Sequence, residues 1–145
     1  MQITRIFHSG FLVETAKRYF IFDYYKGELP KLNPDKPVYV FASHGHQDHY
    51  EPKVFELLKQ QGIVPKLAIL AKDIKEKKYP DVIPVLKAGF HAHYEIEADF
   101  LVDTFHSTDA GVAYLVTCGE GKIYHAGDLH DWVFDSASER ENRQM

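Results

Sequence analysis

Residues 38–62 read VYVFASHGHQDHYEPKVFELLKQQG, and three patterns follow one another in that span. The run 38–43 is short and almost wholly apolar, as suits a strand buried on both faces. From residue 52 the pattern is helical: Pro52 suits a first turn, Val54, Phe55 and Leu58 recur at helical spacing, and Gly62 supplies a stop. Between strand and helix stand His44, His46, Asp48 and His49. The fold expected is therefore an α/β (α+β) arrangement with polar chemistry where a strand hands over to a helix.

The spacing of those four residues has a chemical meaning. His44 and His46 are two apart, so on extended backbone their imidazoles point to one side and can hold one cation between them. Asp48 and His49 follow where the strand has ended, and can face a second position a few ångströms away. Imidazole with carboxylate suits Zn²⁺, and also Mn²⁺ or Fe²⁺. The segment thus offers two ligands to each of two metals. A third ligand for the first metal and a carboxylate between the two must come from elsewhere; His106 and Asp128, each after an expected strand, are the candidates.

Outward from this centre the chain reads as strands flanking a short helical middle. Residues 2–8 (QITRIFH), 11–15 (FLVET) and 19–25 (YFIFDYY) are expected strands, the last two joined by AKR at 16–18. The Gly-, Pro-, Asn- and Asp-containing run 26–37 is a loop. KLAIL at 66–70 is a buried strand, and KDIKEKK at 72–78 a short charged helix. Further strands are expected in 81–86, 90–98 and 99–105. A final hairpin joins GVAYLVT (111–117) to KIYHAG (122–127) across CGEG. Antiparallel register in that hairpin sets Gly111 opposite Asp128, so Asp128 and His106 emerge at one end of the sheet. By the same reasoning the AKR turn sets Asp23 beside Gly10, and hence near His8.

Composition excludes several classes. The 145 residues suffice for one domain, 1–145. The 45% hydrophobic content and mean hydropathy of −0.33 are those of a soluble protein. A net charge of −4 with mixed signs gives no case for a nucleic-acid partner. No run approaches a membrane span, and the first residues lack a signal-peptide pattern. The one cysteine, Cys118, cannot form an internal disulfide, which points to a cytoplasmic location. Nine histidines is a high count for this length.

The H-x-H-x-D-H frame of SHGHQDHY after VYVFA resembles the signature of the metallo-β-lactamase superfamily of metal-dependent hydrolases. FHSTDAGVAYLV resembles the segment supplying a third histidine to the first metal, and KIYHAGDLHDW the strand and loop carrying a bridging aspartate. The opening IFHSGFLVETAKRYFIFDYY resembles the N-terminal hairpin of the L-ascorbate-6-phosphate lactonase branch. The resemblance implies an αββα sandwich, here mainly its N-terminal half with a mixed, largely antiparallel sheet. It implies that His44, His46 and His106 hold the first metal, that Asp48 and His49 hold the second, and that Asp128 bridges. It implies a hydroxide shared by the metals as nucleophile, with Asp48 as the catalytic residue managing its proton. The positive end of the helix near Glu51 would suit an anionic substrate.

Members of that superfamily carry a further histidine ligand in a second half, whereas no histidine follows His130 here. The expectation is a C-terminally truncated form; the alternative is that a second copy of the chain covers the unfinished sheet, making a homo-oligomer. Two functions follow. The first is hydrolysis of a small anionic ester, lactone or phosphodiester, with one or two Zn²⁺. The second is a non-catalytic metal-binding fragment or scaffold. Outside the central motif, His8 is a pocket candidate and Asp23 a buttress for the metal loop. His91 and His93 have ligand-like spacing without an acidic follow-up and are expected to be exposed or supporting. His125 is expected to pack, Ser107 and Thr108 to orient ligands or cap a turn, and Cys118 to have no catalytic part.

Overall fold

The structure is a computed structural model, which describes residues 1–7, 10–45, 49–106, 111–125 and 132–134. His8, His46, Asp48, Ser107, Thr108 and Asp128 lie outside the described residues.

Two sheets form the frame. The first has six strands in chain order: β1 (Gln2–Phe7), β2 (Gly10–Glu14), β3 (Tyr19–Phe22), β4 (Val38–Ala42), β5 (Leu67–Ala71) and β6 (Val85–Ala88). Its first two pairings are antiparallel and its last three parallel. The second sheet is antiparallel throughout and runs β11 (Trp132–Phe134), β10 (Gly121–His125), β9 (Val112–Cys118), β8 (Phe100–His106), β7 (His93–Glu97). The mixed, largely antiparallel pairing expected from sequence is present, divided between two sheets.

Strand alternation explains how the layers stack. On β3, Phe20 and Phe22 enter the core between the sheets, while Tyr19 and Ile21 belong to a separate cluster on the other face. On β4, Tyr39 and Phe41 face inward, and Val38 and Val40 outward. Both faces are buried, as a continuous apolar run requires. Aromatic rings join the sheets: Phe100 of β8 meets Phe20 at 5.1 Å and Tyr39 at 4.7 Å, and Tyr114 of β9 meets Phe41 at 5.2 Å. The buried Tyr114 hydroxyl donates to the Ala42 carbonyl at 2.8 Å.

The outer face of the first sheet is covered by helix α1 (Lys53–Gln60), which buries Val54 and Leu58 one turn apart. It begins one residue later than expected, with Pro52 at its N-cap rather than in its first turn. Its end is a Schellman arrangement: the Ile63 N–H reaches the Leu58 carbonyl and the Gly62 N–H that of Lys59, each at 2.9 Å. Gly62 takes φ +76°, which glycine adopts without a Cβ penalty. The charged helix expected at 72–78 is reduced to a 3-10 turn, Glu76–Lys78. The turn itself has no buried residue and Ile74 alone anchors the segment in the core, so no apolar stripe extends it as a helix.

Candidate metal centre

The site lies where β4 ends. Phe22 ends β3, and the next residue, Asp23, takes φ +50°, a left-handed turn that aspartate tolerates better than most residues. Its carboxylate is fully buried. Oδ1 accepts the Ser43 backbone N–H at 2.7 Å, and Oδ2 accepts the Ser43 hydroxyl at 2.5 Å. Oδ2 also receives His49 Nδ1 at 3.0 Å and His125 Nε2 at 2.9 Å. One carboxylate therefore ties β3, the end of β4, the start of the helical segment and the end of β10.

Burial by itself would push the Asp23 carboxyl upward. His125 and His49, through charge and hydrogen bonding, outweigh it and hold the group well below the usual carboxylate range. An ionised carboxylate only accepts, so both imidazole nitrogens facing it carry hydrogen. His49 is thereby set with Nδ1–H toward Asp23 and Nε2 on the opposite edge of the ring. This is the arrangement by which carboxylates orient metal-binding imidazoles.

His44 and His49 are both buried, with ring centroids 4.7 Å apart. Their positions depend on the second sheet. The Val112 N–H donates to the Ser43 carbonyl at 2.9 Å, docking the start of β9 onto the end of β4. Gly111 lies against the His44 ring so closely that a Cβ there would stand 2.3 Å from Nε2. Val112 is the register partner of His106, the last residue of β8. His44, His49 and His106 are thus gathered at one end of the molecule, the first two on the connection after β4 and the third at the end of β8.

His106 is exposed, and its ring meets Phe90 edge-on at 4.4 Å. The register of the last hairpin pairs Gly121 with Cys118 and His125 with Tyr114, the alignment on which the placement of Asp128 rested. That of the first turn pairs Phe11 with Phe22, which sets Asp23 beside Gly10 as expected. Among the described residues, no three ligand-type side chains form a cluster that could by itself hold a metal ion. The donor types nevertheless fit a divalent cation: two buried imidazoles, His49 oriented by a carboxylate and His44 packed against a glycine that leaves its ring room.

Residues outside the central motif sort clearly. Asp23 is a buttress, and His125 supports it from β10. His93 is exposed and pairs with Asp103 at 2.6 Å. Cys118 is buried at the far end of β9, where burial raises its thiol. Sequence reasoning assigned nothing to Ser43 or to Asp73, whose Oδ2 accepts the Gly45 N–H at 3.0 Å. For Asp73 a signal existed: an acidic residue two positions beyond a buried strand. A cavity of about 700 Å³ beside α1, lined by Tyr24, Lys26, Glu51 and Lys53 among others, has none of these histidines in its wall.

A family model described as Beta-lactamase superfamily domain matches residues 2–143. The chain belongs to the beta-lactamase superfamily. A metal-dependent hydrolase of Pyrobaculum arsenaticum is 26% identical over 140 residues, covering 88% of this chain and 61% of that protein. A similar fold is seen in Igni18, a metallo hydrolase of Ignicoccus hospitalis, with TM-score 0.60 at 16% identity over 86% of this chain and 59% of that one. An isothiocyanate hydrolase from Delia radicum gut bacteria aligns with TM-score 0.53 at 19% identity, covering 88% of this chain and 63% of its own. The chain spans about three fifths of the length of these relatives. Among the described residues, no helix is long and apolar enough to cross a membrane.

Proposed function

We propose that this chain carries the metal-binding part of a hydrolase acting on a small anionic ester, lactone or phosphodiester, of the kind met by the L-ascorbate-6-phosphate lactonase branch. In this reading His44, His46 and His106 hold one divalent cation, Asp48 and His49 serve a second, and Asp128 lies between them. Zinc suits imidazole and carboxylate donors, and manganese or iron can replace it. The observation that carries the reading is the Asp23–His49 hydrogen bond at 3.0 Å, by which a buried carboxylate orients a buried imidazole through its Nδ1 side. The family match and the name of the Pyrobaculum relative support the same chemistry.

A bound divalent cation supplies an activated water at neutral pH and polarises a carbonyl or phosphoryl oxygen. The chain's own residues do the rest. Asp23 keeps His49 in one tautomer and orientation, Ser43 and Val112 hold the loop to the second sheet, and Asp48 handles the proton of the attacking water.

Metal content tests the assignment directly. Purified without chelator, the chain is expected to hold at least one zinc or manganese ion, and His44→Ala combined with His46→Ala to hold none. Unchanged stoichiometry in that double variant rejects the ligand set. A panel of lactones, aryl esters and phosphodiesters, run with and without chelator, then tests turnover. Metal uptake without chelator-sensitive turnover anywhere in the panel supports the non-catalytic alternative instead.

A further inference from the structure

Lys72 follows β5 directly, and its N–H donates to the Ala88 carbonyl at 3.0 Å, so its backbone is held at the carboxyl end of the parallel strands. In parallel sheets this is the end where ligands bind. Its side chain is exposed, and the ammonium rests 4.1 Å from the centre of the Phe90 ring. The same Phe90 ring meets His106 at 4.4 Å. The ammonium therefore lies no more than 8.5 Å from the centre of the His106 ring, the sum of those two distances. The next residue, Asp73, accepts the Gly45 N–H at 3.0 Å and ties this turn to the loop between His44 and His46.

Two neighbouring residues thus face the site in different ways. Asp73 spends its carboxylate on the backbone of the histidine loop. Lys72, among the described residues, forms no ion pair with a carboxylate; its recorded partner is the face of Phe90. An aromatic face steadies an ammonium from one side and leaves its N–H donors available to an oxygen anion on the other.

We propose that Lys72 recognises an anionic oxygen group of the substrate, a carboxylate or phosphate lying outside the bond that is broken. The inference rests on the hydrolase reading above and specifies its substrate class: molecules with a permanent negative charge within a few atoms of the scissile ester. Phe90 is the positioning residue, fixing the ammonium relative to His106.

The test uses the zinc-loaded protein with two aryl esters of similar size, neutral 4-nitrophenyl butyrate and the carboxylated mono-4-nitrophenyl glutarate. The wild type is expected to favour the glutarate in kcat/KM. In Lys72→Ala that preference should fall about tenfold, through the KM of the glutarate, and Lys72→Arg should restore most of it. A preference ratio unchanged in Lys72→Ala overturns the proposal. If neither ester is hydrolysed, the hydrolase reading fails by itself, and titration with inorganic phosphate followed by amide shifts decides the anion site. Phosphate binding weakened about tenfold by Lys72→Ala keeps it; equal binding by wild type and variant rejects it.

Discussion

At the scale of single residues, Asp23 organises more of the site than any residue in the histidine motif. It receives four hydrogen bonds from three residues that lie 20 to 102 positions away in sequence. Asp23→Asn keeps the shape but puts an N–H₂ where an acceptor stood, setting donor against donor at His49 or His125. Zinc affinity is expected to fall by about 10- to 100-fold, as for other carboxylates that orient a ligand imidazole. Competition against a fluorescent chelator measures this, with far-ultraviolet circular dichroism to show that the fold persists. Affinity equal to that of the wild type would remove Asp23 from the positioning role.

Gly111 makes a second prediction at this scale. A methyl group there collides with the His44 imidazole, and that ring is 1% exposed, with little space into which to retreat. Gly111→Ala is expected to lose the first metal while leaving the sheets folded. Full metal stoichiometry in this variant would show that His44 is not a ligand.

At the scale of elements, apolar patterning accounts for most of what formed. β3 and β4 are uninterrupted apolar runs, and each divides its side chains between an inter-sheet core and a helix-covered face. α1 forms because Val54 and Leu58 fall on one stripe, and it stops because Gly62 can take positive φ. The 72–78 segment has helix-forming composition but no apolar stripe, and only a 3-10 turn remains. Leu58 is fully buried beneath the helix, so Leu58→Ala should cost about 2–5 kcal/mol in urea unfolding. A loss under 1 kcal/mol would mean that α1 is not docked as described.

At the scale of the whole molecule, the two sheets are joined at both ends by different means. At the end with the candidate metal site, the joints among the described residues include the Val112–Ser43, Tyr114–Ala42 and His125–Asp23 hydrogen bonds. At the other, Arg18 extends from the β2–β3 turn into the β7–β8 turn. Its side chain is only 6% exposed and pairs with Glu97 at 2.6 Å and Asp99 at 2.5 Å. The ring of Phe100 lies beneath its guanidinium, 5.1 Å from centroid to carbon.

Hydrogen bonds from Arg18 hold both carboxyls below their ordinary range, against a smaller upward push from burial. Groups depressed in the folded state contribute stability that is full above their unfolded values, about 4, and is lost as pH falls through the folded ones. The stability gap between wild type and Arg18→Leu should therefore narrow as pH falls from 6 to 3, read from urea midpoints. A gap of constant size would show that the clasp contributes through packing alone.

The sequence by itself determined the strands from β1 to β10 (β11 is not among those it predicts), the helix after the histidine segment, the hairpin registers and the residue types of the candidate metal site. These follow from local periodicity, turn chemistry and the side-chain geometry of H-x-H-x-D-H, all legible over a few residues. Only the tertiary structure decided that the strand pairings of the described residues divide between two sheets, one of them with three parallel pairings out of five. It also decided that one buried aspartate would serve Ser43, His49 and His125, and that Lys72 would stand beside His106 across a phenylalanine. Such contacts join residues tens of positions apart, and they exist because burying two apolar sheet faces against each other brings their strand ends together.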